Sequence, residues 1–388
     1  MPFISSTDGD LKTAFVTNAW LIDQFVGNRL FTWGNNTYGQ LGDNTRLHRS
    51  SPVQTIAGGT NWKQSSCGIN HTAAIKTDGT LWLWGIGGLL GDNTGTSRSS
   101  PVQTIAFGTN WSSVSCGTDH TAAIKTDGTL WLWGSNYAGE LGDNTTTGRN
   151  SPVQTVTGGT NWKQVSCGYA MTAAIKTDGT LWCWGNNYEG GLGDNTTTNR
   201  SSPVQTITGG NNWSSVFATY GIAAIKTDGT LWLCGGNWSG QLGDGTTTYR
   251  SSPVQTITGG NNWKQVGSGG QDNFGAIKTD GTLWLWGYNY VGQLGDNTRT
   301  NRSSPIQTIS GGNNWKQLAA GAGVHHGAIK TDGSLWLWGG VDGNNNYGVL
   351  GNNTTINKSS PVQTSQGGYN WKQVSAGYTH TAAVTYGD

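Results

Sequence analysis

The stretch HTAAIKTDGTLWLWG, His71–Gly85, recurs unchanged at His120–Gly134, and its last relative, HTAAVTYGD at His380–Asp388, breaks off halfway. Each full copy reads as alternating apolar residues, an Asp-Gly turn and a second apolar run. That pattern predicts a β-hairpin closed by a type I′ turn. WKQVSCG supplies a third strand, and PVQTI a fourth with proline at its start or on an edge. Near the N-terminus, NRLFTWGNNTYGQLGD (Asn28–Asp43) holds the second half of the phrase without the first. The two incomplete copies are complementary: HTAAVTY and RLFTWG together make one more hairpin.

Counting the units fixes the architecture. Ser-Pro precedes VQT or IQT with proline at Pro52, Pro101, Pro152, Pro203, Pro253, Pro305 and Pro361. Asn-Trp recurs with Trp62, Trp111, Trp162, Trp213, Trp263, Trp315 and Trp371. A period near 50 residues with four short strands per unit predicts a toroid of β-blades. The expected fold is all-β: a seven-bladed propeller of four-stranded antiparallel blades over residues 27–388, its closing blade split between the N- and C-terminal segments. Closure of this kind removes two exposed sheet edges.

The second tryptophan of each LWLWG (Trp33, Trp84, Trp133, Trp184, Trp286 and Trp338) is expected to pack between blades. Cys234 takes that place once, and a less filled interface is expected there. Cys67, Cys116, Cys167, Cys183 and Cys234 read as small buried side chains, since an odd number without close pairs suits neither a disulfide framework nor a zinc site.

The phrase VSCGTDHTAAIKTDGTLWLWGSNYAGELGD (Val114–Asp143) resembles the repeat of the RCC1 family, regulator of chromosome condensation. That repeat pairs a Gly-x-x-His stretch with Trp-Gly-x-Asn and Gly-x-Leu-Gly. The resemblance implies a seven-bladed propeller and leaves function open, because a fold hosts many functions. The founding member is a guanine-nucleotide exchange factor that docks on chromatin, and no basic tail or GTPase-contacting insertion is evident here. Plant UV-B photoreceptors of the family place tryptophans in the Gly-x-x-His stretch, where this chain has Ile69 and Asn70, Thr118 and Asp119, or Tyr169 and Ala170. Others are secreted bacterial inhibitors, and polar Asn/Thr-rich forms encoded by bacteria and bacteriophages resemble virion or surface components.

Composition excludes several classes. Charged residues make up 11% and the net charge is +1, which gives no field for nucleic acid or an anionic membrane. No apolar run approaches the roughly 20 residues of a membrane span. No nucleophile elbow, zincin, Walker or calcium-loop motif appears, so no catalytic residue, metal ligand or cofactor is expected. The Gly-x-x-His position holds His71, His120, His325 or His326, and His380, with Met171 and Ile222 elsewhere. These histidines are expected to hydrogen-bond a turn near the channel mouth. Asp43, Asp92, Asp143, Asp194, Asp244 and Asp296 are each followed by an arginine (Arg49, Arg98, Arg149, Arg200, Arg250, Arg302). In the last unit Asn352 and Lys358 change together, which predicts an Asp–Arg pair pinning the loop; a basic ring for a polyanion is the alternative.

Divergence concentrates in the loops after Trp-Gly, which carry Tyr38, Tyr137, Tyr188, Trp238, Tyr290 and Tyr347 among Gly, Asn and Ser. Variable loops on a rigid scaffold suit recognition, and tyrosine with small polar residues is paratope chemistry. Residues 1–26 lie outside the repeats. There Leu11, Phe15, Ile22 and Val26 fall near helical spacing, with Trp20 and Phe25 adding apolar surface, and the segment reads as an anchoring arm or a strap on the propeller's side. The expected function is non-catalytic binding, as a bacteriophage tail or capsid component anchored through residues 1–26. Its partners would be other virion proteins, with a host-surface glycan as a further ligand, and its location the virion or, alternatively, the cytoplasm. The alternative is an inhibitor or signalling scaffold using one loop face, and nucleotide exchange comes third.

Overall fold

A computed structural model describes residues 27–387 apart from 57–58, 106–107, 269, 271, 320, 322, 342–346 and 369; the arm residues Leu11, Phe15, Trp20, Ile22 and Phe25 lie outside the described part. The strands, β1–β28 in chain order, form seven four-stranded antiparallel sheets. Blade 1 runs outward from the ring axis as β3 (Trp62–Cys67), β4 (His71–Lys76), β5 (Leu81–Gly85) and β6 (Arg98–Gln103). Blades 2 to 6, at 111–154, 162–205, 213–255, 263–307 and 315–363, repeat that order. Blade 7 is composite: β27 (Trp371–Ala376) and β28 (His380–Thr385) from the C-terminal side pair with β1 (Leu30–Gly34) and β2 (Arg49–Gln54).

The split hairpin keeps the register of an intact one. His380 pairs with Gly34 and Thr381 with Trp33, as His71 pairs with Gly85 and Thr72 with Trp84. Side-chain register decides which residues face the core, so this match places Trp33 beside blade 6 as Trp84 is placed beside blade 7. The inner strands touch in sequence around the circle, and β27 touches β3 to close it.

The turn chemistry differs from the expected type I′. Of Asp78 and Gly79, only Gly79 has positive φ, at +80°. Gly79 N–H donates to Lys76 O, and Lys76 N–H donates to Thr80 O. This is a three-residue loop, a type I turn followed by a left-handed glycine. Thr80 decides the outcome: its N–H and hydroxyl both donate to Asp78 Oδ1, and Trp82 Nε1 donates to the same hydroxyl.

Lysines and tryptophans brace each hairpin. Lys76 Nζ lies 5.0 Å from the Trp62 ring and 4.9 Å from the Trp82 ring, and the arrangement recurs through Lys330 in blade 6. In blade 7 Thr385 stands opposite Trp371, and Phe31 packs edge-on against that tryptophan at 5.7 Å. Lysine and the outer tryptophan are lost together, as a cation–π pair requires.

The indoles between blades each donate to the carbonyl at the same place in the preceding blade's loop. Trp33, Trp84, Trp133, Trp184, Trp286 and Trp338 are fully buried and donate to Val349, Gln40, Leu89, Glu140, Gln241 and Gln293 carbonyls at 2.7–2.9 Å. Cys234, also fully buried, keeps the bond: its Sγ–H donates to Gly191 O at 3.4 Å. The other cysteines are likewise buried free thiols.

Candidate binding face

The strand order within a blade divides the connections between two faces. Loops joining inner to second strands and third to outer strands share one face; the Asp-Gly hairpins and blade-to-blade links share the other. The first is the loop face. The second carries Lys63, Lys163, Lys264, Lys316 and Lys372, each following the tryptophan that opens an inner strand.

The long loop after Trp-Gly is rigid for reasons visible in its residues. Asn36 Nδ2 donates to Asp43 Oδ1 and to the Thr45 and Leu47 carbonyls, while its Oδ1 accepts from Leu41 N–H. Asp43 also accepts from Thr45 and pairs with Arg49 at 3.0 Å. Burial works against its ionised form, but these hydrogen bonds prevail and hold its pKa below the ordinary value. Asp–Arg pairs recur in blades 1 to 5, the blade 1 pair widening to 3.5 Å where the loop is shorter. The pinning role is therefore present, and these arginines are spent on it. The next residue has φ of 60–63° wherever it is asparagine, as at Asn44 and Asn195, and blade 4 puts Gly245 there. Asparagine and glycine tolerate this left-handed conformation best.

The histidines do not bond a turn. They reach across to the next blade. His71 Nε2 lies 3.0 Å from Thr121 Oγ1, His120 lies 3.0 Å from Thr172, His325 2.7 Å from Thr381, and His380 2.8 Å from Thr72. Each threonine hydroxyl donates onward to a carbonyl (Leu89, Glu140, Val349, Gln40), so the histidine must be the donor, which sets the Nε2–H tautomer. Asn273 and His326 replace this pair between blades 5 and 6, at 2.7 Å. Between blades 3 and 4 the pair becomes Met171 and Ile222, buried in one apolar cluster. Register corrects the expectation here: Ile222 pairs with Cys234 as Thr172 pairs with Trp184, so Ile222 holds the threonine place, and Gly221 the histidine place. Desolvation pushes His71, His325, His326 and His380 down to about 3 and His120 to about 4, leaving them neutral and structural.

What remains is the part of the loop face that departs from the repeat. Tyr188, Tyr290, Tyr137, Trp238 and Tyr38 are exposed, at 74%, 61%, 58%, 48% and 37%. Tyr347 is half-buried and packs on His48, ring centres 4.7 Å apart, bridging blades 6 and 7. Tyr137 and Tyr188 meet in one groove of about 350 Å³ together with Tyr169, Tyr220, Asn186 and Glu189. Tyr169 and Tyr220 lie 4.4 Å apart at 36°. Alongside, Trp238 packs on Tyr288 at 5.6 Å, and Tyr288 stacks on Tyr290 at 6.3 Å. Tyr38 and Tyr347 stand apart, on blades 7 and 6.

Carboxylates accompany these rings. Every described aspartate serves one of the two repeated turns except Asp119 and Asp272, and the chain's glutamates are Glu140 and Glu189. All four lie on the loop face of blades 2 to 5. Glu140 is buried and accepts from Ala138 N–H. Glu189 lies so close over Gly236 that a Cβ there would overlap its carboxylate. Asp272 accepts from Gln241 Nε2 at 3.4 Å, yet burial first, and Glu189 second, raise it to about 6. Burial likewise raises Asp119, Glu140 and Glu189. Among the described residues the salt bridges are the six Asp–Arg pairs, so no lysine or arginine neutralises these four. Among the described residues, too, no three His, Cys, Asp or Glu side chains are grouped to hold a metal ion.

Residues 14–274 match the family model described as the RCC1-like domain, and 280–327 and 332–384 match that of the regulator of chromosome condensation (RCC1) repeat. This chain belongs to the RCC1 family. As an RCC1 propeller it is 30% identical over 368 residues to the ultraviolet-B receptor UVR8 of Arabidopsis thaliana, spanning 92% of this chain and 71% of that one. It is 31% identical over 177 residues to the mitochondrial RCC1 domain-containing protein RUG3 of the same plant, over 45% of this chain and 28% of that one. Among solved structures, human WBSCR16 superposes with a TM-score of 0.77 at 19% identity, over 93% and 99% of the two chains. Saccharomyces cerevisiae Prp20p, described with its binding to Gsp1p and histones, superposes with a TM-score of 0.78 at 17% identity, over 95% and 94%. These two likenesses establish the fold alone. The relatives are plant, yeast and human proteins, and the expected bacteriophage type draws no support from them. At its Gly-x-x-His loops this RCC1 propeller holds Ile69, Thr118 and Tyr169.

The six aromatic candidates came from one class of loop. Tyr169, Tyr220, Glu189 and Asp272 were missed, three of them because they sit elsewhere: Tyr169, Tyr220 and Asp272 lie on the inner loops, which enter the same face from the neighbouring blade. A usable signal existed in the two glutamates, which stand in adjacent units of a chain otherwise built on aspartate.

Proposed function

We propose that this RCC1 propeller is a binding module that recognises a protein partner through the loop face of blades 2 to 5. The observation that carries it is the coincidence, on these blades, of exposed aromatic rings with carboxylates that form no salt bridge among the described residues. Elsewhere the described aspartates serve the repeat's own turns, and surplus side chains of this kind on a rigid scaffold suit recognition. The protein partners of the yeast neighbour Prp20p, Gsp1p and histones, agree with the class of activity and leave this chain's partner open.

The test is co-purification from native source material with three baits. Against the full chain stand a loop-face variant, Tyr188→Ser with Trp238→Ser, and a hairpin-face variant, Lys163→Ser with Lys264→Ser. Loss of the captured partner with the first variant alone supports the reading; loss with the second alone overturns it. A second reading, a virion component anchored through residues 1–26, is favoured by the apolar spacing of Leu11, Phe15, Ile22 and Val26. A bait lacking residues 1–26 addresses it: a partner that leaves with the arm would make the propeller displayed cargo.

A further inference from the structure

The groove on blades 2 to 4 has a chemistry of its own. Its walls are tyrosine rings from two outer loops, Tyr137 and Tyr188, and two inner loops, Tyr169 and Tyr220, with Glu189 and Asn186 beside them. A ring face is electron-rich, and a cation seated over it gains electrostatic energy that grows as water is excluded. Glu189 lines the groove, and its charge reaches as far as Asp272, whose ionisation it opposes. Asp119 adds to the negative potential on the Tyr137 side. The groove is therefore negative from both its rings and its rim, and among the described residues no lysine or arginine forms a salt bridge with these carboxylates.

We propose that this groove receives the guanidinium of an arginine presented on a partner's extended segment, with Glu189 as its counter-charge. The inference rests on the protein-binding reading above and specifies what the partner must carry. Arginine fits better than lysine on physical grounds. Its planar head stacks on tyrosine faces while its fork presents two parallel N–H groups to one carboxylate, and its weaker hydration lowers the cost of entering a half-enclosed site. A volume of about 350 Å³ accommodates the head and most of the aliphatic stem. Asn186, on the same wall, fixes the rim, its Oδ1 accepting from Tyr188 N–H at 3.0 Å.

The experiment titrates the full chain with a fluorescently labelled glycine–serine peptide bearing a single arginine, read by anisotropy, beside peptides with citrulline or lysine in its place. Citrulline keeps the shape and removes the charge. The expected result is binding by the arginine peptide that weakens about fivefold or more with citrulline, the scale of one cation–π contact plus one ion pair. The same loss is expected for Glu189→Gln and for Tyr188→Ala, both at solvent-accessible positions that leave the fold intact. Lys264→Ser, on the hairpin face, should change nothing. Equal binding of arginine and citrulline peptides, or indifference to Glu189→Gln, overturns the proposal. Tighter binding of the lysine peptide overturns the choice of guanidinium. If the loop-face variant loses the native partner while no arginine peptide binds, the face remains the interface and this occupant is wrong; if neither loses anything, both readings fall.

Discussion

His71 and Thr121 show how one residue's role depends on another about 50 positions away. The sequence reading saw a recurring histidine and assigned it to its own turn, because nothing local names a partner in the next blade. With the propeller built, the pairs become legible as matched exchanges: polar with polar at His120 and Thr172, apolar with apolar at Met171 and Ile222. Removing one member leaves a buried donor unpaired. Thr121→Ala should therefore destabilise the protein by about 1–3 kcal/mol in urea unfolding. Combining His71→Met with Thr121→Ile, which copies the blade 3–4 pair, should recover part of the loss, giving a non-additive double-mutant cycle. Additivity of the two changes would mean that the side chains do not communicate. The Asp43–Arg49 pair, in contrast, was readable without coordinates, because its one joint exception, Asn352 with Lys358, lies in plain view.

Hairpins and loops divide into those with local causes and those without. The strands of each blade and the split of blade 7 were legible, since alternation and period act within one repeat. The turn type was not: Asp-Gly suits type I′, but the Thr80 hydroxyl, bonded to Asp78 and Trp82, favours the three-residue form. Blade 7 permits a direct test at this scale. Gly387 N–H donates to Asn28 Oδ1 at 3.1 Å, so the ends of the ring adjoin. A permuted chain joining residue 387 to 27 and opening between Asp178 and Gly179 should fold to the same ring, with thermal unfolding within about 5 °C of the parent. That is the span of roughly 4 kcal/mol in a chain of this length. Removing residues 380–388 instead exposes the edges of β1 and β27. Self-association on size exclusion is then expected, because open edges recruit other strands; a monomeric, fully folded product would contradict closure by β28.

Acid sensitivity belongs to the whole ring. Five buried histidines have folded pKa values of about 3 to 4, below the ordinary 6.5. The unfolded chain therefore binds more protons between those values, and stability is retained above pH 6.5 and lost as pH falls through 6 and 5 toward 4. Asp272, raised to about 6, acts in the opposite direction between about 4 and 6, as do Asp119, Glu140 and Glu189, raised by burial. The lowered turn aspartates, such as Asp43 and Asp78, act with the histidines. The melting temperature should consequently fall steadily from pH 7 to pH 4.5; a flat profile would contradict neutral buried imidazoles. The binding face was only half legible at this scale. Exposed rings on the outer loops could be named from the sequence, whereas Tyr169, Tyr220 and Asp272 join them only through the ring's geometry, which brings inner loops of one blade beside outer loops of the last.

The central claim, that recognition resides in the non-repeating carboxylates and rings of blades 2 to 5, is tested most directly by zero-length carboxyl-to-amine crosslinking of the captured complex followed by peptide mapping. The account predicts partner peptides joined at Glu189, Asp119 or Asp272. Joins confined to the hairpin aspartates, such as Asp78 and Asp178, or to Lys163 and Lys264, would place the partner on the opposite face and contradict it.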